Sequence, residues 1–127
     1  MLRLANNKIT EIKGLDKIVN LFDLSLSGNE ITGIKGLDKL VNLRVLNLRN
    51  NQIIGLKPLA KLTNLETIFL TGNPITDIEP LKNLPNLKEL YANYTQIPQR
   101  SLREFKKSRD RDWEQGKSPY FIIVGNS

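Results

Sequence analysis

Apolar residues recur along this chain in two alternating rhythms. Leu43, Leu46 and Leu48 close up to a spacing of two, Asn51 follows, and Ile53, Leu56, Leu59 and Leu62 then come every third residue. The first rhythm is that of a strand with one buried face. Leu24 and Leu26 point inward while Asp23, Ser25 and Ser27 point out. The second rhythm suits extended chain or 3₁₀ turns and is wrong for a long helix. Each cycle therefore predicts one coil: a short strand, a corner and a return segment. A single coil cannot bury its own leucines, so neighbouring coils must stack and share a core.

The cycle repeats every 22 residues. Asn7, Asn29, Asn51 and Asn73 keep that step, and so do Ile9, Ile31, Ile53, Ile75 and Ile97. Residues 9–21 (ITEIKGLDKIVNL) match 31–43 (ITGIKGLDKLVNL) at 11 of 13 positions. The unit is LxxLxLxxNxIxxIxxLxxLxx, complete over 21–42, 43–64 and 65–86, with Leu or Ile in each of its seven apolar slots. A partial unit precedes these (Leu2, Leu4, Ile9, Ile12, Leu15, Ile18) and a decaying one follows (Leu87, Leu90, Ala92, Ile97). The asparagine column reads as structural, because an Asn at a tight corner hydrogen-bonds backbone groups that the turn leaves unpaired.

Between the inward leucines lie outward slots, which line up from coil to coil. The fifth-slot column reads Arg3, Ser25, Asn47, Phe69, Tyr91, and the third reads Asp23, Val45, Thr67, Glu89. The seventh is Ala5, Ser27, Arg49, Thr71, Asn93, and the eighth Asn6, Gly28, Asn50, Gly72, Tyr94. With strands about 4.8 Å apart, Phe69, Tyr91 and Tyr94 are expected to form an aromatic cluster flanked by Arg49 and Glu89. Exposed aromatics beside arginine are the usual makings of an interaction hot spot, so these five residues are the candidate partner-binding site. The bland alternative is that the rings only cover the sheet. Asp23 and Glu89 fall three strands apart, too far for a catalytic carboxylate pair.

After Ile97 the period fails, so the chain divides into a solenoid over 1–97 and a flanking cap over 98–127. Thr95 stands where Asn is due, Ala92 replaces a core Leu and Arg100 an Ile. Ser101 and Glu104 have capping-box spacing, which predicts a helix over about 101–115 with Leu102, Phe105, Arg109 and Trp113 along one side. Leu102, Phe105 and Trp113 are expected to cover the last coil. The apolar run Tyr120–Val124 is expected to form an edge strand or to pack onto the cap.

Composition narrows the chemistry. The 127 residues include 19 Lys+Arg against 13 Asp+Glu, a formal charge of +6, and no Cys or His. Disulfides, thiolate zinc sites and imidazole catalysis are thereby excluded. No catalytic, cofactor or metal residues emerge, and the chain reads as non-enzymatic. Lys13, Lys35, Lys57 and Lys17, Lys39, Lys61 form two basic columns, but Asp16 and Asp38 alternate with them and no aromatic interleaves. That pattern reads as a solvated face and not as a nucleic-acid or membrane surface. No apolar run reaches the length of a membrane span, and no signal peptide precedes the first strand, which reads as a cytoplasmic protein. The unpaired first strand, with Leu2 and Leu4 on the open end of the core, predicts end-to-end self-association.

The repeat unit resembles leucine-rich repeat proteins of the 22-residue class, as in bacterial internalins and phosphatase-regulator-like repeats. Residues 75–87 (ITDIEPLKNLPNL) carry the likeness most strongly, and 55–65 (GLKPLAKLTNL) repeat it. The resemblance covers about residues 1–97. It implies an α/β right-handed solenoid with about five short parallel strands on a concave face, irregular or 3₁₀ convex segments and a helical C-terminal cap, used for binding a protein partner. Internalins also carry a secretion signal and a helical N-terminal cap, which this chain does not show. The alternative reading is a leucine-rich repeat fragment of a larger protein such as a Roco-type GTPase, since the strand-like run ending at Gly125 resembles the start of a P-loop.

Overall fold

The computed structural model describes residues 1–117 and 121–125; Tyr120, the first residue of the expected terminal strand, lies outside them. Six short strands form one parallel sheet in chain order: β1 Leu2–Arg3, β2 Asp23–Ser25, β3 Val45–Asn47, β4 Thr67–Phe69, β5 Glu89–Ala92 and β6 Ile122–Gly125. The first five are the expected solenoid strands. Their register is the repeat period itself, with Leu24 opposite Leu46, Leu46 opposite Ile68 and Ile68 opposite Leu90. The inward residues of the complete coils are sealed: Leu24, Leu26, Leu46, Leu48, Ile68 and Leu70 expose none of their surface. The seven slots of each full unit merge into one continuous core.

Two ladders of asparagine hold the coils in step. Asn51 Oδ1 accepts from the Ile31 N–H at 3.1 Å, and its Nδ2 donates to Leu26 O at 3.0 Å and Leu48 O at 3.1 Å. Asn29 and Asn73 repeat the arrangement, so each amide ties its own coil to the preceding one. Thr95, in the last coil, stands in the same column and donates to Ala92 O at 2.9 Å. The second ladder lies on the return segments. Asn42, Asn64 and Asn86 donate to the carbonyls of Val19, Val41 and Thr63, one residue short of the Asn in the preceding coil. Its 22-residue step is visible in the sequence as a recurring Asn-Leu pair, which the core pattern overshadowed.

Return segments turn on i→i+3 bonds, as the three-residue spacing predicts. Where a proline presets φ at the second helical position, the turn lengthens into a 3₁₀ helix, Lys57–Lys61 with Pro58 and Glu79–Leu81 with Pro80.

The cap is one helix, α1, Gln99–Glu114. It starts two residues before the predicted capping box. Pro98, at φ −57°, takes the N-cap position, so Ser101 falls inside the first turn and caps nothing. Glu104 pairs instead with Arg100, 3.2 Å away. Gly116, at φ 71°, ends the helix in the left-handed conformation glycine adopts freely, donating to Trp113 O. Leu102 and Phe105 are buried as expected, but Trp113 is 48% exposed. Its expected place in the cap goes to two other residues. Phe121 is wholly buried edge-on to Phe105 with ring centroids 5.6 Å apart, and the Arg109 side chain is 2% exposed.

Arg109 closes the solenoid where another coil would stack. Its Nη1 donates to Leu84 O at 2.8 Å and its Nη2 to Leu87 O at 2.9 Å, both carbonyls of the last return segment. The guanidinium also faces the Phe121 ring, 5.4 Å from its centroid. Burial lowers its pKa, and the Asp112 carboxylate opposes that shift. Beyond the helix the chain returns as β6, which adds to β5 with Leu90 opposite Ile123 and Tyr91 opposite Val124. The terminal run is thus a sheet strand. Gly125 has a packing reason there, because a Cβ on it would come 2.6 Å from Leu102 Cδ1 of α1.

Candidate functional site

The sheet face opposite the leucines carries the residues singled out above. Phe69 and Tyr91 are paired in register across β4 and β5. Adjacent parallel strands hold paired side chains about 4.8 Å apart, which is stacking distance for two rings. The ring centroids lie 4.8 Å apart at an interplanar angle of 11°. Arg49 follows β3, and its guanidinium carbon sits 4.1 Å from the Phe69 centroid. The Arg49 backbone N–H donates to Asn47 Oδ1 at 3.1 Å, which shapes the chain as it leaves the strand. Arginine, phenylalanine and tyrosine therefore form one continuous stack across three strands, each half-buried.

Glu89 stands at the other end of β5 from this stack's cation. It accepts long hydrogen bonds from Tyr91 Oη at 3.4 Å and Thr67 Oγ1 at 3.5 Å, so it orients the tyrosine and does not neutralise Arg49. Four of the five candidate residues are thus brought together.

Tyr94 is not part of the cluster. Its backbone has φ +55°, its side chain is 83% exposed, and among the described residues it makes no ring contact. The whole eighth-slot column shares this geometry: Asn6, Gly28, Asn50 and Gly72 all have φ between 57° and 78°. These positions are left-handed corners where the strand ends, not further rungs of the strand. Asn and Gly alternate there for a steric reason, since a Cβ at Gly28 or Gly72 would collide with the amide oxygen of Asn6 or Asn50. Tyr94 follows Gly72 in the column, where that collision does not arise.

Reasoning along the sequence missed two residues of this face. Through β6, Ile122 stands beside Glu89 and Val124 beside Tyr91, 45% and 38% exposed. The 22-residue period breaks at the helix, so nothing in the repeat arithmetic assigned them a column. Their alternation with Phe121 and Ile123 was the available signal.

Other surface features show no comparable convergence. Asp23 and Glu89 lie on β2 and β5 and form no pair. All six lysines of the basic columns are exposed, and Lys13 pairs with Glu11 at 2.9 Å. A shallow hollow lined by Phe22, Asn42, Arg44 and Asn64 has its amides already committed to the second asparagine ladder. Among the described residues, no group of His, Cys, Asp and Glu is arranged to hold a metal ion, and no helix is long and apolar enough to cross a membrane.

Residues 19–61, 41–83 and 63–107 match a sequence family described as Leucine Rich repeats (2 copies). No curated protein sequence matches the chain. Among solved structures, internalin C2 (inlC2) of Listeria monocytogenes is similar with a TM-score of 0.80 and 36% identity, over 97% of this chain and 50% of that one. Internalin inlF of the same organism gives a TM-score of 0.70 and 27% identity, over 81% of this chain and 37% of that one. A chain of the Drosophila melanogaster SNF/U2A' complex gives 0.70 and 25%, over 95% of this chain and 70% of that one. The chain thus spans about half the length of the inlC2 chain it matches.

Proposed function

The chain belongs to the leucine-rich repeat family, and from that premise we propose that it is a non-enzymatic module that binds a protein partner on the concave face of its sheet. The observation that carries this reading is the half-exposed stack of Arg49, Phe69 and Tyr91 at the centre of that face, extended by Val124. A solenoid buries its apolar residues between coils and needs no aromatic stack on the outside. Exposed Tyr, Phe and Arg in one patch are the side chains that dominate binding energy where proteins meet. The similarity to a chain of the SNF/U2A' complex is consistent with a scaffold that assembles with another protein.

The test is the double variant Phe69→Ala with Tyr91→Ala in a binding assay against a partner captured by the native protein. The expected loss of affinity is roughly 2 kcal/mol or more. Stability should fall far less than for Leu46→Ala in the sealed core, where about 2–5 kcal/mol is lost. A double variant that binds normally but melts much earlier would show that the rings only pack.

A further inference from the structure

Among the described residues, Arg49 is a half-buried cation without an anion. Several basic side chains have found an acid: Lys88 and Arg44 share Glu66, Arg100 meets Glu104, and Lys106 meets Asp110. Among the described residues the Arg49 guanidinium has the Phe69 ring and no acid. That contact stabilises the charge but supplies no oxygen acceptor for its five N–H donors. Among the described residues the guanidinium donates to no carboxylate and no carbonyl; the hydrogen bonds of this residue run through its backbone, from its N–H to Asn47 Oδ1 and to its carbonyl from the Gly28 N–H and Asn51 Nδ2. The acids of the same face are out of play. Glu89 is held by Thr67 and Tyr91, and Asp23 stands at the opposite end of the strand slots, four positions away along the chain direction and one coil back.

The face is also graded. From Arg49 it passes through Phe69 and Tyr91 to the exposed Val124 of β6. That distance is three strand spacings, roughly 14 Å. One end therefore asks for a carboxylate and the other for an apolar side chain. Building on the concave-face reading, we propose that the partner is a protein segment that presents an Asp or Glu to Arg49 and, roughly 10–14 Å further along, an aliphatic or aromatic side chain against Tyr91 and Val124. The guanidinium fork matches a carboxylate with two parallel hydrogen bonds, and the ring beneath it shields the pair from water.

A display library of random peptides panned against the folded protein tests this without knowledge of the natural partner. Enriched peptides are expected to share an acidic residue followed by an apolar one. Affinity for a synthesised peptide should fall about tenfold or more with Arg49→Glu. It should fall by less with Arg49→Lys, which keeps the charge and loses the fork, and should return in Arg49→Glu when the peptide's acid is exchanged for Lys. Peptides that lose affinity for the Phe69→Ala, Tyr91→Ala variant yet bind Arg49→Glu unchanged would overturn the acidic partner and leave concave-face binding standing. Peptides indifferent to both variants, or no enrichment at all, would overturn both. Thermal melts of each variant, expected near the native value, separate lost recognition from lost folding.

Discussion

A single residue type can serve opposite ends in this chain, depending on its column. Asparagine at positions 29, 51 and 73 is buried and spends its amide on the backbone of two coils. Asparagine at positions 6 and 50 is exposed and is there for its tolerance of left-handed backbone. Tyr94 occupies the latter column without that tolerance. An ordinary L-residue in this conformation costs about 1–2 kcal/mol, which Asn and Gly largely avoid. Tyr94→Asn is therefore expected to raise stability by about 1 kcal/mol in urea denaturation. If Tyr94 also contacts the partner, the same variant will bind more weakly while melting higher. Unchanged stability would mean that the corner carries no strain. The asparagine ladder was legible from the sequence because corner chemistry is local. The left-handed column was not, because an outward slot and a corner look alike until the chain direction is known.

At the scale of elements, the cap shows where periodicity stops being informative. The helix was readable from its apolar spacing, and Leu102 and Phe105 bury as that spacing requires. Its start was misread because Pro98 is a stronger boundary than a serine two residues inside the helix. Its core was misread because hydrophobicity ranks Trp113 above Arg109, whereas the last coil presents carbonyls that need donors. An arginine supplies donors and an aliphatic stem, and a tryptophan supplies one N–H. Arg109→Met keeps the stem and removes the donors, leaving Leu84 O and Leu87 O without their bond from α1. The expected cost is about 2 kcal/mol, set by two under-satisfied acceptors less the relief of no longer burying a charge. Chemical denaturation would measure it, and a variant as stable as the native chain would show that the carbonyls are satisfied by other means.

For the whole molecule, stability is carried from coil to coil, and Glu66 makes one such link on the surface. It lies 2.9 Å from Lys88 and 3.5 Å from Arg44, joining three successive coils. The hydrogen bond from Lys88 holds its carboxyl below the usual carboxylate range, helped by the charges of Lys88 and Arg44 and opposed by partial desolvation. A carboxylate with a lowered folded pKa stabilises above its unfolded pKa of about 4.3 and loses that contribution as pH falls through the folded value. The melting difference between the native chain and Glu66→Gln should thus be widest near neutral pH, close in acid and shrink with added salt. A pH-independent difference would point to packing instead. The same stacking logic explains the sixth strand: the edge of β5 is a ready template, and β6 occupies it while carrying Phe121 into the cap.

What the sequence determined by itself was the coil. A 22-residue period with Leu or Ile in every inward slot admits one arrangement, because only stacked coils in that register bury all of those side chains at once. Strand register, core and corner asparagines follow from it, as does the row that sets Phe69 beside Tyr91. Tertiary structure alone decided what lies outside the period. It placed Ile122 and Val124 on the face that carries the Arg49–Phe69–Tyr91 stack, removed Tyr94 from the ring cluster, and chose Arg109 over Trp113 to close the core. It also left Arg49 against a ring, with no acid beside it among the described residues. These outcomes depend on contacts between segments with no common repeat, where the fit of one side chain against another decides, and no spacing along the chain encodes that fit.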